Sequence, residues 1–401
     1  IGILVYPMLK PLWNPAQMTG QFRIAVAEFG ELDSDGNVRR SENGQVLSQW
    51  LFEALHDEYQ QNTDLELARS IQVWHDSRND TEQNFKFGIM AGDTAAERQA
   101  SAARLAERVG AHMVIFGNLV PEGESKGLDL EFYLSPQVND ETASIIGPHR
   151  LGKPIRLPVP FDTDSPEVSI AVGQQIEVRS DALFWLTMGL TQQVLGRSDE
   201  ALETFGRAEE ELSNWPENDG KELLYFFIGR EELFLSTMEE NPDPGRVNNA
   251  EASFRKALDI DPAYARAQVA LGTTYLQRAQ SIPPEARLQE PRYMEYLEEA
   301  LDHHLKGLEL ALATEEPLIE AVARILLASS YRLLGEAHYL SDSNDKAVRH
   351  FDLAVAEIEQ AAPLLADTRQ YRLLAQAYEA QGAAYLQQGV VPVSYTHLTL
   401  P

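Results

Sequence analysis

The chain has 401 residues, enough for two domains, and 44% of them are hydrophobic, as in a globular protein with a sizeable core. It contains no cysteine, which excludes disulfides, thiolate metal sites and cysteine nucleophiles. Its formal net charge is −29, with 15 basic against 26 acidic residues over 1–179 and 18 against 36 over 180–401. Acidity spread in this way repels phosphate backbones and argues against a nucleic-acid partner.

Taken from the start, Ile1–Leu9 (IGILVYPML) is apolar and uncharged. Nine residues cannot cross a bilayer, which takes about 20. With Lys10, Trp13 and Pro15 behind it, the run reads as the end of a transmembrane helix whose beginning is missing. The alternative is an N-terminal strand or leader. Residues 1–20 are therefore expected as a helix end plus linker.

From Gln21 onward strands alternate with helices. FRIAVAEF is a dense apolar run that predicts a buried strand, and LDSDGNVR after it predicts a turn. GQVLSQWLFEALHDEYQQ has helical spacing, with Leu47, Trp50, Leu51 and Ala54 on one face. SIQVWH is a second strand. TAAERQASAARLAERVG is a second helix that Gly110 terminates. AHMVIFGNLV is a third strand, and the alternating LDLEFYLSP is a fourth, expected antiparallel to it. The pattern predicts a small α/β domain over 21–160, then a linker over 161–180.

From Ala182 a new pattern recurs. Gly189, Ala201, Phe205 and Ala208 are followed by Gly229, Ala250, Phe254, Ala257 and Pro262, and later by Gly335, Ala347, Phe351 and Ala354. In each set the Ala, Phe and second Ala are four and then three residues apart, which places a bulky ring between small residues on one helical face. Helices approach closely only where such small residues meet, so each set predicts a packed helical hairpin. An intermediate set has Gly272 and Tyr275, the long connection SIPPEARLQEP, then Ala300, His304 and Gly307, with His304 where the ring belongs. A last set has Tyr378, Gly382, Tyr385 and Gly389 and stops before a second helix.

These sets resemble tetratricopeptide repeats, in about five units over 181–392 with the last truncated. Another helical-hairpin solenoid would pack in a similar way. The tail Val393–Pro401 (VSYTHLTLP) resembles a translated sequencing adapter and is set aside. Before the repeats, IAVAEF, the helix after Gly44-Gln45, and the stretch with Gly110, Ala111, Val114, Ile115 and Gly117 resemble the amino-terminal domain of TolB. That domain followed by such repeats is similar to the sensory half of CadC-type regulators and some adenylyl cyclases. The long loop from Leu32 to Asn43 and the Pro-rich stretch between Gly147 and Pro166 depart from that likeness.

Several chemical constellations fail. Asp33, Asp35 and Asn37 alternate as the first ligands of a calcium loop do, but Val38 and Gly44 occupy the places that need Gly and Glu. His303 and His304 point about 100° apart on a helix and cannot share an ion without strain. His75 beside Asp76 lacks an identifiable nucleophile. No phosphate-cradling loop is found. No catalytic, cofactor or metal site is expected.

The repeat resemblance implies that the first helix of each unit lines a groove, which gives Arg230, Leu233, Arg266, Thr273, Arg332, Glu336 and Tyr339 as candidates. Three arginines there could clamp a peptide carboxylate. Alternatively they pair with neighbouring acids such as Glu231, Glu232 and Glu336 and hold the stack together. The expected function is a protein-binding scaffold or sensory region of a larger bacterial signalling or envelope protein, membrane-anchored on a side the sequence leaves open, the resemblance to CadC-type regulators implying that this part lies outside the cytoplasm. The other readings are the regulatory part of an enzyme (cyclase, kinase or nucleotide hydrolase) with its catalytic domain upstream of Ile1, or a cytoplasmic adaptor.

Overall fold

The structure is a computed structural model that describes residues 17–390 apart from 34, 63–65, 77–85, 123–124, 139–144, 159–160, 163–164, 212–219, 239–242 and 368–370. The expectations for Ile1–Leu9 and for Val393–Pro401 lie outside the described residues. The chain divides into two compact units, Ile1–Leu224 and Tyr225–Pro401.

In the first unit, strands β1 (Phe22–Val26), β4 (Ile71–His75) and β5 (Met113–Glu122) form a parallel core, with β1 between the other two. Strand β5 pairs along its length with β6 (Ser125–Leu134), antiparallel and in the register Met113↔Leu134, as the alternation of LDLEFYLSP predicts. The edges hold four short strands that the sequence pattern did not reveal. A hairpin of β2 (Gly30–Leu32) and β3 (Val38–Arg40) flanks the LDSDGNVR turn, and β7 (Gly147–Arg150) and β8 (Ile155–Leu157) pair with β6. Three or four residues are too few to set up a period, so these strands are defined by their neighbours.

Helices α1 (Glu42–Gln61) and α2 (Ala95–Val109) cross between the parallel strands. Helix α2 starts at a capping box between Thr94 and Glu97 and ends at Gly110, whose φ of 72° lies in the left-handed region that favours glycine. Its buried stripe, Ala102, Leu105, Ala106 and Val109, joins Ala25, Trp74, Val114 and Phe116 of the sheet. Helix α1 is rotated from the expected face. Leu47 and Leu51 are buried, but Phe52, Leu55 and Tyr59 take the places expected of Trp50 and Ala54, which are half-buried. The cause is a second partner, helix α3 (Pro166–Val194). Its Phe184 ring lies 5.1 Å from that of Tyr59, and its Thr187 shares a hydrogen bond with the Tyr59 hydroxyl.

Helix α3 also occupies most of the stretch expected as a linker. Its first turns bury Val168, Val172 and Ile176, and Arg179 donates to the carbonyl of Lys153 beside the sheet. Gly173 and polar residues such as Gln174, Gln175 and Glu177 make this stretch read as a connector. Gly196, at φ 70°, turns α3 into α4 (Ser198–Glu211).

The remaining elements are α5 (Lys221–Met238), α6 (Pro244–Ile260), α7 (Ala265–Ser281), α8 (Arg292–Ala313), α9 (Pro317–Leu340), α10 (Asn344–Asp367) and α11 (Tyr371–Val390). Hairpins α3/α4, α5/α6, α7/α8 and α9/α10 share one seam geometry. A Cβ added at Gly229 would fall 2.8 Å from the Phe254 ring, one at Gly335 2.6 Å from the Phe351 ring, and those at Gly189 and Gly272 closer still to Phe205 and His304. The small residues beside each ring, Ala201, Ala208, Ala250, Ala257, Ala300, Ala347 and Ala354, are all buried. Truncating such a buried ring to Ala typically costs about 3–5 kcal/mol. Pro262 follows the last turn of α6 and stands exposed. Gly382 differs, since no described atom lies within 4 Å of where its Cβ would be.

Candidate functional site

The arginines among the groove candidates each meet an acid of the fold. The Arg230 side chain is 11% exposed and 3.5 Å from Glu231, itself buried. Burial pushes the Arg230 guanidinium down from its ordinary pKa and the Glu231 charge opposes this. Arg266 is 3% exposed, with Nε 3.8 Å from Glu316. Arg332 donates to Glu336 one turn on, and Glu336 also accepts from Gln387. The Thr273 hydroxyl donates to the carbonyl of Val269 at 3.2 Å, Leu233 is half-buried, and Tyr339 packs against Ala347 and Phe351. Arginines 230 and 332 thus meet acids of their own helix, and Arg266 an acid across the turn before α9.

The rejected constellations have structural partners. The Asp33 carboxylate accepts the backbone N–H groups of Asp35 and Asn37, both at 2.9 Å, and holds the β2–β3 turn. His304 is fully buried, with Nδ1 3.0 Å from Ser330 Oγ, and burial pushes its pKa down to about 3. His303 meets Gln268 at 2.7 Å and stacks on Tyr275. His75 reaches Ser48 at 3.2 Å, and the Asp76 carboxylate accepts the N–H groups of Phe87 and Gly88, both at 2.8 Å. Among the described residues no group of three or more His, Asp or Glu is placed to hold a metal ion.

A cleft of about 540 Å³ opens where the long connection SIPPEARLQEP passes the start of α6, the end of α7 and the start of α8. Pro244, Val247, Ile282, Pro283 and Ala286 give it an apolar floor, and Asn248, Gln277, Ser281, Glu290 and Arg292 supply polar groups. Its wall is organised by Arg278, which donates to Asn248 Oδ1 at 2.8 Å and to the Glu251 carboxylate. The same guanidinium lies 5.3 Å from the centre of the Tyr275 ring and 6.0 Å from that of Tyr296. Glu251 also accepts from Arg255 Nε at 2.9 Å and from the Tyr275 hydroxyl at 3.0 Å. Burial pushes the Glu251 carboxyl up, but the bonds from Arg278 and Arg255 outweigh it and hold the group ionised below its usual range. Burial and the Glu251 charge together raise the Tyr275 phenol.

This network satisfies its charges internally and stiffens the wall. Sequence spacing shows the Glu251–Arg255 pair, four residues apart on one helix. Nothing local pairs Asn248 with Arg278, 30 residues apart, or turns Tyr296 towards them. The signal present in the sequence is the length of the connection itself.

The fold and seams define the class: a mixed α/β domain followed by helical hairpins of the tetratricopeptide type. Comparison with protein-family models found no match, and comparison with curated proteins found none either. Among solved structures the chain is similar to TTC0263, a thermophilic TPR protein of Thermus thermophilus, with 20% identity and a TM-score of 0.32, over 52% of this chain and 97% of that one. It is similar to the MamA protein with 14% identity and a TM-score of 0.29, over 55% and 98%. A third is PilW, a type IV pilus biogenesis factor, with 17% identity and a TM-score of 0.24, over 53% and 95%. The class rests on the four Gly–ring seams.

Proposed function

We propose that this chain is a protein-interaction scaffold that takes a peptide segment in the cleft beside Arg278. The observation that carries the reading is the cleft, an apolar floor with a prestiffened polar wall, built from the long connection of the Gly272 hairpin. Largely preformed concave sites with few placed polar groups are where ligands bind. An extended segment would lay an apolar side chain against Val247 and Ile282 and its backbone groups against Gln277, Asn248 and Ser281.

The test selects peptides from a random displayed library on the intact chain and measures their affinity for wild type, Ser281→Trp and Ala286→Trp. Filling the cleft is expected to weaken binding tenfold or more while the melting temperature holds. Equal affinities for all three would place the peptides elsewhere and refute the cleft.

A finer reading places the scaffold in a membrane-anchored bacterial signalling or envelope protein, with the first domain TolB-like. It draws on the apolar run Ile1–Leu9 and the order of α/β domain and repeats. No helix among the described residues is long and apolar enough to cross a membrane. Carbonate extraction of membranes from cells expressing the natural protein tests the anchor, and release into the wash would sink it.

A further inference from the structure

Helix α8 carries a row of leucines away from its seam. Leu301, Leu305, Leu308 and Leu312 are spaced four, three and four residues apart, which aligns them along one face over about three turns. Leu305 and Leu312 are 42% and 50% exposed, and Leu301 and Leu308 are half-buried. The seam itself uses Leu297, Ala300, His304, Gly307 and Ala311, so Leu305 and Leu312 are surplus to the packing of the hairpin. The matching helices of the other hairpins carry no leucine there. One place after the ring stand Gly206, Arg255 and Asp352, and eight places after it stand Pro262 and Glu359. Acids border the row on its open side. At 100° per residue, the exposed Glu298, Asp302 and Glu309 fall within about 60° of Leu305. Lys306 spends its charge on Glu309 at 3.0 Å, and among the described residues neither Glu298 nor Asp302 forms an ion pair with a lysine or arginine.

We propose that this face docks an amphipathic helix of a partner protein, one whose apolar row is flanked by lysine or arginine. The leucines supply the apolar contact, and the unpaired carboxylates select a cationic border. A second copy of the chain fits worse. Laid antiparallel, with Leu305 on Leu308 and Leu301 on Leu312, it sets Asp302 beside Glu309 of the other copy, acid against acid. The leucine row begins beyond Arg292 and Tyr296, the residues of α8 that line the cleft, and does not depend on the cleft.

The probes are two synthetic three-heptad helices with leucine at both core places of each heptad, one flanked by lysine and the other by glutamate. Each is titrated into the intact chain by fluorescence anisotropy. Saturable one-to-one binding of the lysine helix is expected, with the glutamate helix weaker by about tenfold or more. Leu305→Asp with Leu312→Glu gives α8 the residues that α10 bears at these places, Asp352 and Glu359, so the fold accepts them. This variant should keep the melting temperature and weaken the lysine helix by about tenfold or more. Glu298→Lys with Asp302→Lys should reverse the preference between the two probes, which mere apolar stickiness would not do. Equal binding of both probes, binding that survives the leucine substitutions, or no binding overturns the proposal. A dimer in sedimentation equilibrium that Leu305→Asp abolishes would assign the face to a second copy and overturn it as well.

Discussion

Replacing His304 by phenylalanine tests the seam and its buried imidazole together. In the other three seams the ring over the glycine is Phe205, Phe254 or Phe351, and Gly272 leaves the same notch for His304. Burial lowers the His304 pKa to about 3 from an ordinary 6.5, so the folded chain keeps the ring neutral while the unfolded chain protonates it. The folded pKa is depressed and the group is a base, so its stabilising contribution is complete at neutral pH. It is lost progressively as pH falls below about 6.5, and the loss ends only near the folded pKa. At 1.36 kcal/mol per unit, the wild type loses about 2 kcal/mol at this site between neutral pH and pH 5. His304→Phe removes that loss. It also removes the buried imidazole nitrogens, and Ser330 keeps its bond to the Leu326 carbonyl at 3.1 Å. The variant should match or exceed wild-type stability at neutral pH and be about 2 kcal/mol more resistant at pH 5 than that difference alone. Urea unfolding followed by circular dichroism at both pH values measures this. An unchanged pH dependence in the variant would refute the buried neutral imidazole.

Two further outcomes follow from the same packing. Gly335→Val drives side-chain carbon into the Phe351 ring and should cost about 3 kcal/mol, near the upper range for overpacking, seen as a lower urea midpoint; wild-type stability would mean the seam is loose. Arg230→Ala removes the guanidinium 3.5 Å from the buried Glu231 carboxylate and should cost about 3 kcal/mol, with peptide affinity per folded molecule unchanged. A variant that is fully stable but loses peptide binding would restore Arg230 to a groove.

The hairpins were legible because their signature is local: ring and small residues lie within one helix, and even His304 could be placed by spacing alone. The strands that form the parallel core and their antiparallel neighbour were legible for the same reason, as dense or alternating apolar runs. Edge strands such as Ile155–Leu157 were not, since they owe their conformation to β6. The face of α1 was misjudged at Trp50 and Ala54 because a helix packed on two partners buries a wider stripe than one period reveals. The groove arginines were placed by analogy with position in the repeat, but Arg230 and Arg266 are buried beside acids. The wall of the cleft joins α6 to α7 through Asn248 and Arg278, a contact that only the folded hairpins create.

Hydrogen–deuterium exchange on the intact chain, with and without a library-selected peptide, tests the binding-scaffold reading most directly. Protection confined to the start of α6, the end of α7 and residues 282–296 is the result expected of a peptide seated in the cleft. Protection elsewhere in the chain, with these segments unchanged, would contradict it.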